Sequence, residues 1–313
     1  MPQVICVVGP TACGKTKMGV ELAKRFRGEV VSVDSMQIYR GMTIGTAAPT
    51  EEEREGIPHH MIGVADPAES WSAARYAERA DACVQDILSR GRLPVLVGGT
   101  GLWLDALVRG TDFAAGAQGD EMRLALQKRM AEEGAETLLE ELRGIDPAAA
   151  KKLHLRDEKR ILRALEVYYT TGETITAHDA RTKTRPDRYD ALYIGLTYSD
   201  REMLRSRIDQ RVDLMVEQGL LEEVDALLQS GIPRDATALQ AIGYKQFLAV
   251  AEGKATVAEA IGEIKLRSRQ YAKRQMTWLR RNPAIHWIDR AKEPNFSATL
   301  QNATEYLTAC GLG

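Results

Sequence analysis

Three short, largely unbroken apolar runs stand out along the chain: VICVV at 4–8, EVVSV at 29–33 and PVLV at 94–97. They are rich in β-branched residues and do not alternate strictly between apolar and polar, which predicts parallel strands buried on both faces. Each run leads into a polar or glycine-rich turn and then a helical pattern. Residues 15–27 continue as a helix, Ser70 is placed as the N-cap of a helix that runs to Arg90 and stops at Gly91, and another helix starts near Gly101. Further strands are expected at 193–196 and 285–288. Such alternation predicts an α/β fold, a parallel sheet flanked by helices with ligands at the carboxyl ends of its strands.

Between about 116 and 186 the pattern changes to helices only. Residues 121–133 and 136–143 repeat apolar positions at spacings of three and four, Asp146-Pro147 reads as a cap with proline at the first helical position, and 157–169 carries another stripe. A helical block set between two strands predicts an inserted all-helical domain, 116–186, within a catalytic core made of 1–115 and 187–313. The turn-rich GTDFAAGAQGD at 110–120 is the candidate linker, and 200–282 is helical again.

Composition narrows the class. The 313 residues, 44% of them hydrophobic, suffice for a sizeable core. No run approaches the roughly 18 apolar residues of a membrane span, and no basic-then-apolar leader opens the chain, so no membrane partner and a cytoplasmic location are expected. Cys6, Cys13, Cys83 and Cys310 form no C-x-x-C pair, which argues against a zinc ribbon or a disulfide framework. The net charge of −2 does not suggest a nucleic-acid partner, but its distribution does. Segment 265–281 holds seven Lys/Arg and no acid, interleaved with Tyr271 and Trp278, and 151–188 holds ten Lys/Arg against six Asp/Glu. One-signed faces of this kind suit a phosphate backbone.

The strongest chemical motif is GPTACGKT, comprising Gly9, Pro10, Thr11, Ala12, Cys13, Gly14, Lys15 and Thr16. It has the spacing of a phosphate-binding loop, with a strand before it and a helix after it, in which N–H groups cradle phosphate, lysine reaches the oxygens and the hydroxyl holds Mg²⁺. The second strand ends in VDSMQIY and delivers Asp34 and Gln37 to the same edge. Asp34 suits a magnesium ligand, a general base or a helix N-cap. The third strand ends in VGGTGLW, where Thr100 is a substrate hydrogen-bond donor or a turn residue. No Asp or Glu follows that strand, which weakens a motor-type NTPase reading. Arg207 and Arg211 stand four apart on one helical face and suit a phosphate clamp or surface ion pairs. His59-His60 has poor geometry for one metal, and Trp71, Trp103 and Trp278 are read as packing residues.

Taken together, these pieces resemble the tRNA dimethylallyltransferases, also called tRNA isopentenyltransferases. The matching stretches are GPTACGKT at 9–16, VDSMQIYRGM at 33–42, IGTAAP at 44–49, VGGTG at 97–101, KRILRALEVY at 159–168, ALQAIGYKQ at 238–246 and SRQYAKRQMTWLRR at 268–281. They fall in family order across nearly the whole chain. The resemblance implies transfer of a dimethylallyl group from dimethylallyl diphosphate to N6 of the adenosine 3′ to the anticodon, with the loop N–H groups of residues 11–16, Lys15, Mg²⁺ on Thr16, and Arg211 holding the leaving diphosphate. It further implies Asp34 as general base, with Thr100 and Arg211 beside the reacting atoms. The tRNA anticodon arm would meet Asp34, Ser35, Met36 and Gln37, then Lys159, Arg160, Ile161, Leu162 and Arg163, and Gln240, Ala241, Ile242, Gly243, Tyr244 and Lys245. Arg123 is a further match, and Lys273 and Arg274 of the basic segment complete the grip; a monomer is expected. The sequence departs from the family at Trp103, where tyrosine is common, and at Ala48, where GTAKP supplies lysine. No zinc finger follows the basic segment, which points to the bacterial or organellar type. The competing readings are an adenylate isopentenyltransferase acting on free AMP, ADP or ATP, a P-loop small-molecule kinase, and a non-catalytic RNA-binding module. None of them uses all seven motifs and both basic segments.

Overall fold

The computed structural model describes residues 1–110, 120–184, 186–290 and 295–312. Six strands, β1 (Gln3–Val8), β2 (Gly28–Val33), β3 (His59–His60), β4 (Leu93–Gly98), β5 (Asp190–Thr197) and β6 (Ile285–Asp289), form one sheet in the order β3-β2-β4-β1-β5-β6. Every pairing is parallel. The apolar runs are unbroken because helices cover both faces: Ile5 and Val7 join Met18 and Leu22 of α1 (Lys15–Arg25) and Ala303 and Leu307 of α13 (Phe296–Ala309) in one core, while the alternate positions face the other layer. α3 (Ala73–Ser89) and α4 (Gly101–Arg109) pack together there. α2 (Glu51–Arg54) is a single capped turn.

The described residues form two compact units, Met1–Gly110 with Arg188–Gly313, and Thr111–Asp187. The second unit holds α5 (Asp120–Ile145), α6 (Pro147–Ala150), α7 (Glu158–Thr171) and α8 (Ile175–Lys183). Its core gathers Leu126, Leu138, Leu142, Ile161 and Leu165. The helices expected at 121–133 and 136–143 are the two arms of α5, which meet at Gly134 with a non-helical φ of 83°. Asp146 caps α6 through the Ala149 N–H and also accepts both the N–H and the hydroxyl of Thr176. The linker expected at 110–120 falls on 111–119, outside the described residues. The first unit is completed by α9 (Arg201–Glu217), α10 (Leu220–Gln229), a 3₁₀ turn (Ala238–Gln240), α11 (Tyr244–Ala251) and α12 (Val257–Leu279).

Two local expectations need correction. Ser72, not Ser70, caps α3, because its hydroxyl accepts the Arg75 N–H. α1 ends at Arg25, two residues early, because Arg27 turns left-handed with φ 51° to enter β2. The edge strand β3 was not expected at all, since two histidines carry no apolar signal.

That edge is organised by Glu29, which is 3% exposed, accepts two N–H groups from Arg90 and has His60 Nε2 2.8 Å away. Arg90 foremost, with help from His60, holds its carboxyl down to about 2 against the opposing effect of burial. A folded-state pKa below the unfolded value means the stabilisation is present above about 4.3 and is lost as pH falls toward 2. Glu29→Gln should lower the neutral-pH Tm by about 3–6 °C, from charge-assisted bonds worth roughly 1.5 kcal/mol. It should also flatten the acid limb of the Tm–pH curve; identical acid limbs in the two proteins would remove Glu29 from that role.

Candidate active site

Strand order places the site. β1 lies where the winding reverses, with β4 and then β2 on one side and β5 on the other, so a crevice opens at its carboxyl end. The loop Gly9–Thr16 fills that position between β1 and α1. Gly9 has φ 149°, and a Cβ there would lie 2.4 Å from the Leu196 carbonyl oxygen. Ala12, a non-glycine residue, sits in the left-handed region with φ 63°. Two side chains from distant helices hold this loop: Arg207 of α9 donates Nε–H to the Ala12 carbonyl at 3.1 Å, and Gln275 of α12 accepts the Thr11 N–H at 2.9 Å. The Thr11 N–H is therefore committed to the protein, which narrows the expected cradle to residues 12–16. The N–H groups of Ala12, Cys13 and Gly14 have no acceptor among the described residues, and those of Lys15 and Thr16 open α1, where helix geometry leaves them unpaired.

Lys15 donates to the Pro10 carbonyl at 2.7 Å. Burial pushes its pKa down, and Arg211 pushes the same way against the opposing influence of Cys13 and Asp34. Burial also lowers the pKa of Arg211, with Asp34 as the main opposing charge. Among the described residues Arg211 makes no hydrogen bond or ion pair, whereas its helix neighbour Arg205 pairs with Glu202. Two recessed cations thus share one carboxylate, a local excess of positive charge that suits a polyanion.

The acceptor side is the turn after β2. Asp34 Oδ1 accepts the N–H groups of Met36 at 2.9 Å and Gln37 at 3.3 Å, so half of the carboxylate caps a turn, while no described residue bonds to Oδ2. Thr100 precedes α4 but does not cap it; its hydroxyl accepts the Ser35 N–H at 3.3 Å. Tyr271 of α12 lies beside Thr100 and Gln275, and burial pushes its phenol up to about 12. Strands lie about 4.8 Å apart, so the backbone ends of β2 and β1 stand about 10 Å apart with β4 between them. A pocket of about 290 Å³ occupies this ground. Thr11, Asp34 and Arg211 give it polar groups, and Ile208, Val212, Met215, Leu220 and Ile264 give it an apolar wall.

The structure sorts the other expected residues. Ser35, Met36, Gln240, Ala241, Ile242, Gly243 and Arg274 line the pocket, and Lys245 and Lys273 are exposed. Gln37 spends its amide inside the fold, donating to the Thr46 and Ala47 carbonyls and accepting the Ser32 hydroxyl. Tyr244 is wholly buried with its hydroxyl on Glu223 at 2.5 Å, so its expected tRNA contact is corrected to a structural role. Glu223 also accepts the N–H groups of Thr43, Ile44 and Gly45, fixing the loop beside the pocket. In the inserted unit Arg123, Lys159 and Arg160 are exposed and Leu162 is half-buried, but Ile161 is a core residue and cannot reach tRNA. Arg163 pairs with Glu166 at 3.0 Å. The basic segment is also less free than its sequence implies: Lys265 and Arg269 pair with Asp213 and Asp209 of α9, and Arg267 pairs with Glu263. Among the described residues Lys273, Arg274, Arg280 and Arg281 have no acidic partner, and Arg274 and Arg281 lie over Tyr271 and Trp278. Trp103 stacks on Tyr76 at 4.3 Å and Trp278 donates to Asp105 at 2.9 Å. Gln275 and the apolar wall were not singled out from the sequence, and Tyr271 stood out only as an aromatic within the basic segment, not as a pocket residue.

Residues 37–282 match a family model described as IPP transferase. A protein named tRNA dimethylallyltransferase from Acetivibrio thermocellus is 42% identical over 312 residues, covering 100% of this chain and 99% of that one. A second of the same name from Carboxydothermus hydrogenoformans is 44% identical, covering 97% of each. The crystal structure of a tRNA isopentenylpyrophosphate transferase from Bacillus halodurans matches with a TM-score of 0.75 at 40% identity, over 99% of this chain and 96% of that one. A eukaryotic dimethylallyltransferase captured acting on tRNA matches with a TM-score of 0.83 at 30% identity, over 97% and 78%.

The charge imbalance gives a direct test. Inorganic diphosphate at 100 times its Kd should stabilise the protein by about 2.7 kcal/mol. Arg211→Met should lose most of that shift, with an unliganded Tm equal to or above the wild type because an uncompensated charge is gone. A normal diphosphate shift in this variant would exclude Arg211 from the anion site.

Proposed function

We propose that this chain, which belongs to the IPP transferase family, transfers the dimethylallyl group of dimethylallyl diphosphate to N6 of the adenosine 3′ to the anticodon in tRNA and releases diphosphate. The observation that carries this reading is the pocket and the loop beside it: two recessed cations that share one carboxylate, an apolar wall, and one unengaged oxygen on that carboxylate. The names of the relatives support the same reaction and do not favour a free-nucleotide acceptor or a kinase.

The chemistry follows from what each group can do. An exocyclic adenine amine is a feeble nucleophile, because its lone pair is delocalised into the ring, so the barrier falls mainly by stabilising the departing diphosphate. The N–H groups of residues 12–16, Lys15 and Arg211 meet the charge that grows there. The N6–C1 bond forms as the C1–O bond breaks, and the N6 proton passes to Asp34 Oδ2, whose partner oxygen is fixed by the turn. Thr100 positions that turn through Ser35. The apolar wall receives the five-carbon chain and excludes water from the allylic carbon. The Thr16 hydroxyl has no hydrogen bond among the described residues and would hold Mg²⁺, which prefers hard oxygen ligands. Magnesium held there supplies further positive charge to the leaving group.

The adenosine leaves its stack to reach the pocket. Lys273, Arg274, Arg280 and Arg281 on the first unit, and Arg123, Lys159 and Arg160 on the inserted unit, offer exposed cations to the anticodon arm. The working unit is proposed to be a monomer.

Labelled dimethylallyl diphosphate offered with magnesium to unmodified tRNA and to AMP should label tRNA alone. Asp34→Ala should lower kcat by about 10²–10⁴-fold with donor affinity nearly unchanged. Label in AMP would make the acceptor a free nucleotide, and near-normal turnover in the variant would exclude Asp34 as the base.

A further inference from the structure

Gln275 is 6% exposed, and its amide serves two loops at once. Oε1 accepts the Thr11 N–H of the phosphate loop at 2.9 Å, and Nε2 donates to the Gly99 carbonyl after β4 at 3.2 Å. Tyr271, one turn earlier on α12, lies beside both Gln275 and Thr100, and the Thr100 hydroxyl accepts the Ser35 N–H after β2. One side chain on α12 therefore ties two strand ends directly, those carrying the leaving-group loop and the glycine turn, and Thr100, next to Gly99, carries the link to the turn of the acceptor base. A carboxamide supplies the acceptor and the donor on two separate atoms, whereas a carboxylate lacks the donor and an ammonium lacks the acceptor. Gly99 is part of the same device: a Cβ there would lie 2.1 Å from Gln275 Nε2, so the glycine leaves room for the amide to approach the backbone.

We infer that Gln275 is a positioning residue that fixes the leaving-group loop against the acceptor turn, an inference that rests on the transfer reaction proposed above. Gln275 occupies the Thr11 N–H, the first of the expected cradle, so a diphosphate can settle only on the N–H groups that follow. The donor is thereby held in one register relative to Asp34. Removing the amide leaves both loops intact but lets them drift, and a displacement of about 1 Å between reacting groups is enough to cost roughly 100-fold in rate. The role predicts a loss concentrated in the chemical step.

The test compares wild type, Gln275→Met, Gly99→Ala and the double variant, measuring kcat and KM for tRNA prenylation together with hydrogen exchange of the Thr11 amide. Gln275→Met should lower kcat about 10–100-fold, leave both KM values within about threefold, and speed Thr11 exchange in the unliganded protein. Gly99→Ala keeps Gln275 chemically intact but displaces its amide, so it should reproduce the loss. The double variant should be no slower than the slower single, because both act through one contact. With wild type active, unchanged kcat in Gln275→Met, a loss confined to KM, or additive losses in the double variant would overturn the inference. Unchanged Thr11 exchange would overturn it whether or not wild type transfers label. A wild type that labels no tRNA would instead overturn the transfer reading, so the two failures are distinguishable.

Discussion

Positive charge concentrated at the end of β1 is the constraint around which the catalytic unit is arranged. Lys15 and Arg211 are recessed enough that burial lowers both pKa values, they repel each other, and Asp34 is the carboxylate that chiefly opposes the shift of Arg211. Such an arrangement is costly without an anion and favourable with one. The loop that presents it carries a left-handed alanine, and α9 and α12 hold it through Arg207 and Gln275. The C-terminal helices, far in sequence from the loop, are therefore as much a part of the anion site as the loop itself.

A base placed two strands away, as proposed for Asp34, would give the phosphate loop a different use from phosphoryl transfer. A carboxylate on the turn after β2, with β4 between it and the loop, is placed to face a nucleophile approaching C1, the carbon that bears the diphosphate oxygen, from the side away from the leaving group. The apolar wall from Ile208, Val212, Met215 and Leu220 suits that chain, and the absence of an acid after β4 fits a site that has no hydrolytic water to organise. Diphosphate is held so that it can leave.

Much of this was legible in the sequence, for a physical reason. Strands buried on both faces must be apolar without a break, so five of the six strands and the phosphate loop declare themselves. What the sequence hid were relations between distant residues. β3 is two histidines made into a strand by Glu29 on its neighbour. The cations Lys265 and Arg269 look unpaired because their acids, Asp213 and Asp209, lie on another helix. Tyr244 and Ile161 sit inside matched motifs, yet a motif does not say which side of a helix faces the core, and both face inward. Gln275 was invisible because its partners at Thr11 and Gly99 are backbone atoms, which leave no trace in residue identity.

The central claim is that the loop binds a leaving group and that no phosphoryl group moves. Phosphorus NMR of a turnover mixture containing dimethylallyl diphosphate, magnesium and unmodified tRNA tests it most directly. The account predicts one inorganic diphosphate released for each prenyl group found on tRNA, with no orthophosphate. Orthophosphate, or phosphate appearing on any acceptor, would contradict it.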